Sequence, residues 1–295
     1  MLESYGPGYR FYSFGTDHQL DLFEAFLEQL DSESGKIQAV WCECPSNPLL
    51  RTANLDRIRA LANRYDFPVV VDDTIGSWAN VDVFDVADIV ITSLTKSFNG
   101  YADVLAGSMI LNPNSSYYTI FQKAFHASYT NNLFLDDAIR LEQNSRDFLR
   151  RAAILNETAE FLVENIRPLV LDAESVVSAV YYPKLCWSKN NYDRRMRPAT
   201  DDFVPGYGYL FSIEFKSVSS AAAFLDNLDV YKGPSIGANI TLALPYVQMV
   251  LQKEKQWAST HGLAETIVRI SVGLEDKGGL LQKIMIAMQA AEQIM

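Results

Sequence analysis

The sequence predicts an α/β fold, with a mostly parallel sheet in the first half of the chain and a smaller α+β unit in the second. Three observations carry this expectation. Apolar strand-like runs alternate with amphipathic helical stretches through roughly residue 112. The runs over 67–73 and 87–93 are almost wholly apolar instead of alternating, as strands are when both faces are covered. A long helical stretch over roughly 133–166 then leads into a half whose strands and helices read as α+β.

Taken in order, residues 18–30 place Leu20, Phe23, Phe26 and Leu27 on one helical face. Residues 37–45 read as a strand stopped by proline. Asn54 caps a helix carrying Leu55, Ile58, Leu61, Ala62 and Tyr65. Strands follow at 67–73, 87–93 and 106–112. The helix over 133–166, with Pro168 just beyond it, reads as a bridge between two domains, expected at 1–155 and 156–295. The second has candidate strands at 175–182, 209–215 and 266–273 and a helix at 219–228. A terminal helix starts at Asp276, with Leu280, Leu281, Ile284, Met285 and Met288 on its inner face. The polar segment 187–203 is expected to be a loop.

The 295 residues are 48% hydrophobic, which is ample for a buried core. A net charge of −11 disfavours nucleic acid as a partner, because phosphate-backbone binding needs a basic stripe. The densest basic spots, Arg150-Arg151 and Arg194-Arg195, are short and are expected on solvated faces. Three cysteines are too few, and odd in number, for a disulfide framework. Cys42 and Cys44 alternate along a strand and are expected as small core residues. His18, His126 and His261 are isolated and have no zinc-ligand spacing. The first residues lack the basic and apolar regions of a signal peptide, and no apolar run is long enough for a membrane span. These features predict a soluble, cytoplasmic protein without a membrane partner.

Ligands of open α/β sheets bind outside the carboxyl ends of the strands. One strand end here is VVVDDT (69–74), with Asp72, Asp73 and Thr74. Another is IVITSLTKSFNG (89–100), with Ser93, Thr95 and Lys96. Two hydroxyls beside a lysine could hold a phosphate and form a Schiff base with an aldehyde. A carboxylate on the preceding strand could keep a pyridine nitrogen protonated. Those are the protein groups that a pyridoxal 5′-phosphate site needs. Neither G-x-G-x-x-G nor G-x-x-x-x-G-K-[ST] occurs, so dinucleotide and P-loop readings lose their main support.

Six segments in order resemble the transsulfuration (Cys/Met metabolism) family of fold-type-I pyridoxal-phosphate enzymes: YGPGYR (5–10), ECPSNPLL (43–50), VVVDDT, SLTKSFNG (93–100), KGPSIG (232–237) and VRISVGLED (268–276). The wording DAIRLEQNSRDFLRR and WASTHGLAETIVRISVGLED is similar to the fungal cystathionine γ-synthase-like branch. The resemblance implies that Lys96 is the Schiff-base lysine and Asp72 the partner of the pyridine nitrogen. It implies phosphate ligands at Ser93 and Thr95, and a ring-stacking tyrosine at Tyr5. Asn47 would lie near the ring hydroxyl and substrate carboxylate, Arg269 would bind that carboxylate, and Ser235 would help orient the lysine. A guanidinium inside an apolar strand needs an anionic partner, which a substrate carboxylate would supply.

The resemblance further implies a homo-oligomer acting on O-acylhomoserine and cysteine, by γ-replacement of the acyl group with a thiol. Sister enzymes use the same site for γ-elimination or sulfhydrylation. The chain departs from the pattern at Asp73 and, more widely, upstream of YGPGYR. There the family carries a phosphate-binding loop at a helix N-terminus and an arm reaching the neighbouring subunit's phosphate. The expectation is weakened cofactor binding, and the alternative is an impaired homologue acting as a partner or regulatory subunit.

Overall fold

The computed structural model describes residues 8–30 and 36–294. The first half runs α1 (Asp17–Gln29), β1 (Val40–Glu43), α2 (Leu55–Tyr65), β2 (Val69–Asp72), β3 (Ile89–Ser93) and β4 (Gly107–Leu111). The sheet has the order β1-β2-β3-β4. The first three strands are parallel and β4 is antiparallel to β3. Val69, Val70 and Val71 are all buried, which explains the unbroken apolar run of β2. The Asn54 side chain accepts from the Arg57 N–H and caps α2, which buries Leu55, Ile58, Leu61 and Ala62. Leu20, Phe23 and Leu27 of α1 complete this core, and Cys44 is buried in it with Cys42 packed against it.

Three helices follow: α3 (Tyr118–Ser128), α4 (Leu135–Ser145) and α5 (Phe148–Ile166). The expected single helix is therefore two. The chain turns at Arg146 and Asp147, where the Asn144 carbonyl is drawn to the buried guanidinium of Arg151. Helix α3 was not predicted; it buries none of its residues, so its apolar pattern marks no core face. Helix α5 serves both halves of the molecule. Phe148 and Ala152 pack with Ala79 and Phe203, whereas Ala159, Leu162, Val163 and Ile166 enter the core of the second sheet.

That sheet contains β5 (Val177–Tyr181), β6 (Leu210–Phe215), β7 (Tyr231–Lys232), β8 (Leu242–Pro245) and β9 (Ile267–Ser271) in the order β5-β6-β9-β8-β7. It is antiparallel except for the β7–β8 pair. Two helices cover it: α6 (Val218–Asn227) and α7 (Lys277–Glu292), the latter capped by Asp276. Leu280, Ile284, Ala287, Met288 and Ala291 of α7 are buried. The short strands β7 and β8 were not predicted.

The polar segment 187–203 is not simply a loop. It holds a helical turn, Lys189–Asp193. Tyr192 of that turn is fully buried, donates to the Gly206 carbonyl at 2.9 Å and stacks on Tyr207. Among the described residues no helix is long and apolar enough to cross a membrane.

Candidate functional site

The parallel strands deliver their carboxyl ends to one place. Asp72 ends β2 and Ser93 ends β3; the two strands are in register, with Asp72 opposite Ile91. A cleft of about 200 Å³ opens there, lined by Glu43, Pro45, Asn47, Asp72, Thr74, Ile75, Ser93, Lys96 and Ile236. Asp72 and Lys96, which the sequence placed on successive strand ends, face the same cleft. Asp72 accepts the Thr74 N–H at 2.9 Å, and the Thr74 hydroxyl accepts the Ser93 N–H at 2.8 Å. These two bonds tie the ends of β2 and β3 together.

Asp73 lies apart from this cleft, as strand alternation expects. It is 3% exposed and accepts a hydrogen bond from the Thr92 hydroxyl of β3. Burial pushes its carboxyl up to about 6, with the neighbouring Asp72 charge adding to the rise.

Lys96 sits in a tight turn closed by the Gly100 N–H, which donates to the Lys96 carbonyl at 2.8 Å. Its ammonium makes no ion pair among the described residues. Burial, and then the Arg269 charge, pull its pKa below that of an ordinary lysine. A lysine of this kind holds more free amine at neutral pH than an exposed one. Thr95 is not among the residues lining the cleft. Its hydroxyl accepts the Ala106 N–H at 3.0 Å and donates to the Ala106 carbonyl at 3.2 Å.

Arg269 is 4% exposed in the centre of β9. Its Nη1 donates to Asn47 Oδ1 at 3.0 Å, its Nη2 donates to the Pro234 carbonyl at 2.6 Å, and its guanidinium lies over the Tyr246 ring. All of these partners are formally neutral, and burial lowers the pKa of the group. The guanidinium therefore reaches the cleft wall through Asn47 with its charge unneutralised. Asn47 is itself held by its N–H, which donates to Glu43 at 3.0 Å. Ser235 is half-buried between Pro234, which binds Arg269, and Ile236, which lines the cleft. Tyr5 lies outside the described residues.

The basic pairs are not solvated faces throughout. Arg150 and Arg194 are exposed. Arg151 is 2% exposed because its guanidinium binds inward-facing carbonyls of the Lys96 loop, and Arg195 is buried between Asp56 and Asp85. The sequence reading missed both. The one local signal for Arg151 is Asp147 one helical turn earlier, to which its Nε donates at 2.7 Å.

A larger hollow of about 760 Å³ lies at the opposite ends of the strands, beside Asp88. Its charges are already paired, Arg59 with Asp88, Arg195 with Asp85 and Arg197 with Asp82. The smaller cleft has a lysine with no ion pair among the described residues and, behind Asn47, the uncompensated guanidinium, so it is the candidate active site.

Comparison with known proteins agrees with this geometry. Residues 18–289 match the family described as Cys/Met metabolism PLP-dependent enzyme. The chain is 45% identical to an alanine racemase of Aspergillus violaceofuscus, over all of this chain and 51% of that protein. It is 40% identical to the cystathionine gamma-synthase of Neurospora crassa, over 99% of this chain and 45% of that protein. The fold matches the crystal structure of cystathionine gamma synthase from Xanthomonas oryzae pv. oryzae with a TM-score of 0.78 at 24% identity, over 95% of this chain and 68% of that one. The chain belongs to the Cys/Met metabolism family of pyridoxal-phosphate-dependent enzymes, and its fold is that of the fold-type-I members. It spans about half the length of the curated relatives it matches.

The donor set of the cleft fits the family's cofactor. It offers a lysine of lowered pKa for the aldehyde, a carboxylate at the neighbouring strand end for the ring nitrogen, and hydroxyls at Thr74 and Ser93 beside them.

Proposed function

We propose that this chain carries the catalytic cleft of a transsulfuration-type enzyme that replaces the γ-acyl group of an O-acylhomoserine with a thiol such as cysteine. The observation that supports this best is the convergence of Asp72, Lys96 and the Asn47–Arg269 pair on one cleft. When bound, pyridoxal 5′-phosphate supplies an electron sink for the charge left when a proton leaves an amino-acid carbon.

The family resemblance, together with the positions of the described residues, supports the following roles. Lys96 Nζ would hold the cofactor by its aldehyde, and its amine is the group that would carry protons from the substrate's Cα and Cβ. The Asp72 carboxylate would hold the proton on the ring nitrogen, and the Ser93 hydroxyl would donate to the phosphate. Thr95, which the resemblance gives as a second phosphate ligand, would have to leave both of its bonds to Ala106 to reach it. Arg269 takes the substrate carboxylate in a two-pronged ion pair, with Asn47 and the Pro234 carbonyl fixing the plane of its guanidinium. By the family resemblance Ser235 would orient Lys96, and Tyr5, which lies outside the described residues, would stack on the ring. The two sheets form two domains that meet within α5, and the active species is a homo-oligomer.

A second reading comes from the alanine racemase relative. Lys96, Asp72 and Arg269 would equally serve a reaction that stops at proton exchange on Cα. One experiment separates the readings. The protein is loaded with pyridoxal phosphate and given O-acylhomoserine with cysteine, or L-alanine alone. Cystathionine supports γ-replacement, and D-alanine supports racemisation. Borohydride reduction and peptide mapping should place the cofactor on Lys96 in either case, and label found only on another lysine overturns both readings.

A further inference from the structure

The underside of the Lys96 loop rests on one buried guanidinium. Arg151 Nη1 donates to the Ser97 carbonyl at 2.8 Å, and Nη2 donates to the carbonyls of Phe98 and Asn144, each at 2.9 Å. Nε donates to Asp147 at 2.7 Å, and Nη1 also approaches Asn239 Oδ1 at 3.5 Å. Asn239 in turn donates its N–H to the Gly100 carbonyl at 2.6 Å. One planar group thus gathers the lysine loop, the α4–α5 junction and the loop after β7.

The backbone is cut to fit it. Gly100 has φ +78°, and a Cβ there would stand 2.3 Å from Arg151 Nη1 and 2.7 Å from Asn239 Oδ1. The inward carbonyls of Ser97 and Phe98 would otherwise lack donors, which destabilises the loop. A lysine at position 151 offers its three donors from a single point and cannot reproduce the planar fork.

We propose that Arg151 is a positioning residue, holding the Lys96 loop in the conformation that presents the Lys96 amine to the cleft. The inference rests on the reading of Lys96 as the cofactor-bearing lysine. Around Lys96 the charged groups are Asp72 from β2, Glu43 at the end of β1 and Arg269 from β9; Arg151 acts from beneath, through the backbone. When the loop slackens, Lys96 moves toward water and toward the behaviour of an ordinary lysine.

The test compares the full chain with Arg151→Lys, Arg151→Met and, on the exposed face of α5, Arg150→Met. Three quantities are read: the thermal midpoint, amide hydrogen exchange across residues 93–100, and the pH midpoint for borohydride-trapped pyridoxal-phosphate labelling of Lys96. Arg151→Lys should exchange faster across 93–100 while the strands of the second sheet keep their protection. Its labelling midpoint should move up by about one pH unit, or tenfold less label at fixed pH. Arg151→Met should show the same changes more strongly, and Arg150→Met none. If Arg151→Met does not fold, Asn239→Ala replaces it and should shift both readings in the same direction. A folded Arg151→Lys with the parent's exchange and labelling midpoint overturns the inference, even if its thermal midpoint falls. If Lys96 of the parent takes no label, the functional reading fails instead, and the exchange measurement still decides whether Arg151 sets the loop.

Discussion

Gly237 is packed against the peptide that joins Lys96 to Ser97: a Cβ at position 237 would lie 2.4 Å from the Ser97 amide nitrogen. Its own N–H donates to Ser271 at the end of β9, at 2.9 Å. At position 237 the loop after β7 therefore meets the lysine loop backbone against backbone, and the Ser271 hydroxyl holds it there from β9. Gly237→Ala should cost at least ~2 kcal/mol, because φ +72° is unfavourable for any residue with a Cβ and the overlap with backbone has no flexible partner to absorb it. Denaturant unfolding checks the stability, and cofactor labelling of Lys96 should fall in the same variant. Parent-like values of both would mean that the loop tolerates displacement.

Asp73 should make stability depend on pH. Its carboxyl ordinarily titrates near 3.8 and here is pushed up to about 6, first by burial. Between those values the folded chain holds a proton that the unfolded chain has released, so the contribution of Asp73 is present below pH 3.8 and is lost as pH rises through 6. The full displacement corresponds to ~3 kcal/mol. Asp73→Asn keeps an acceptor for the Thr92 hydroxyl and removes the titration. Urea melts from pH 4 to pH 7 should show the variant gaining on the parent by up to that amount. Parallel curves would exclude the effect.

Arg269→Leu should still let Lys96 take the cofactor label, with its pH midpoint moved up because the Arg269 charge no longer lowers the Lys96 pKa, and should raise the KM for amino-acid substrates by at least about a hundredfold, as expected for losing charge-assisted bonds worth ~3 kcal/mol. Arg269→Lys should recover only part of this, since an ammonium cannot serve Asn47, the Pro234 carbonyl and a carboxylate in one plane. Steady-state kinetics on the loaded enzyme distinguishes this from a change in kcat alone.

Asn156 links the two halves of the molecule away from the cleft. It is buried on α5, donates to Asn80 Oδ1 at 2.7 Å and accepts the Gly208 N–H at 3.0 Å. Asn156→Ala strands that N–H and removes the bonds between Asn156 and Asn80, which keeps only its bonds to the Gly76 carbonyl and from the Gly206 N–H, and should cost ~2 kcal/mol. Asn156→Asp should be no better, because it cannot donate to Asn80. Calorimetric unfolding measures both variants, and a loss below ~1 kcal/mol would show that water replaces the missing bonds.

Much of this structure was legible in the chain because it depends on neighbours in sequence. The apolar runs around Val70 and Val90, the caps at Asn54 and Asp276, and the placing of Asp72 and Lys96 at successive strand ends are local patterns, and strand alternation alone sends Asp73 away from Asp72. The likeness of short segments to a known family then attached chemistry to those positions. What the tertiary structure decided is the fate of the arginines. Arg151 and Arg195 look like any surface pair, and they are buried because Ser97, Phe98, Asp56 and Asp85 arrive from far along the chain with carbonyls and carboxylates facing inward. Hydrophobic periodicity records which face of a helix is apolar. It carries no record of which distant backbone groups will lack a donor, and that shortage is what draws a guanidinium into the core.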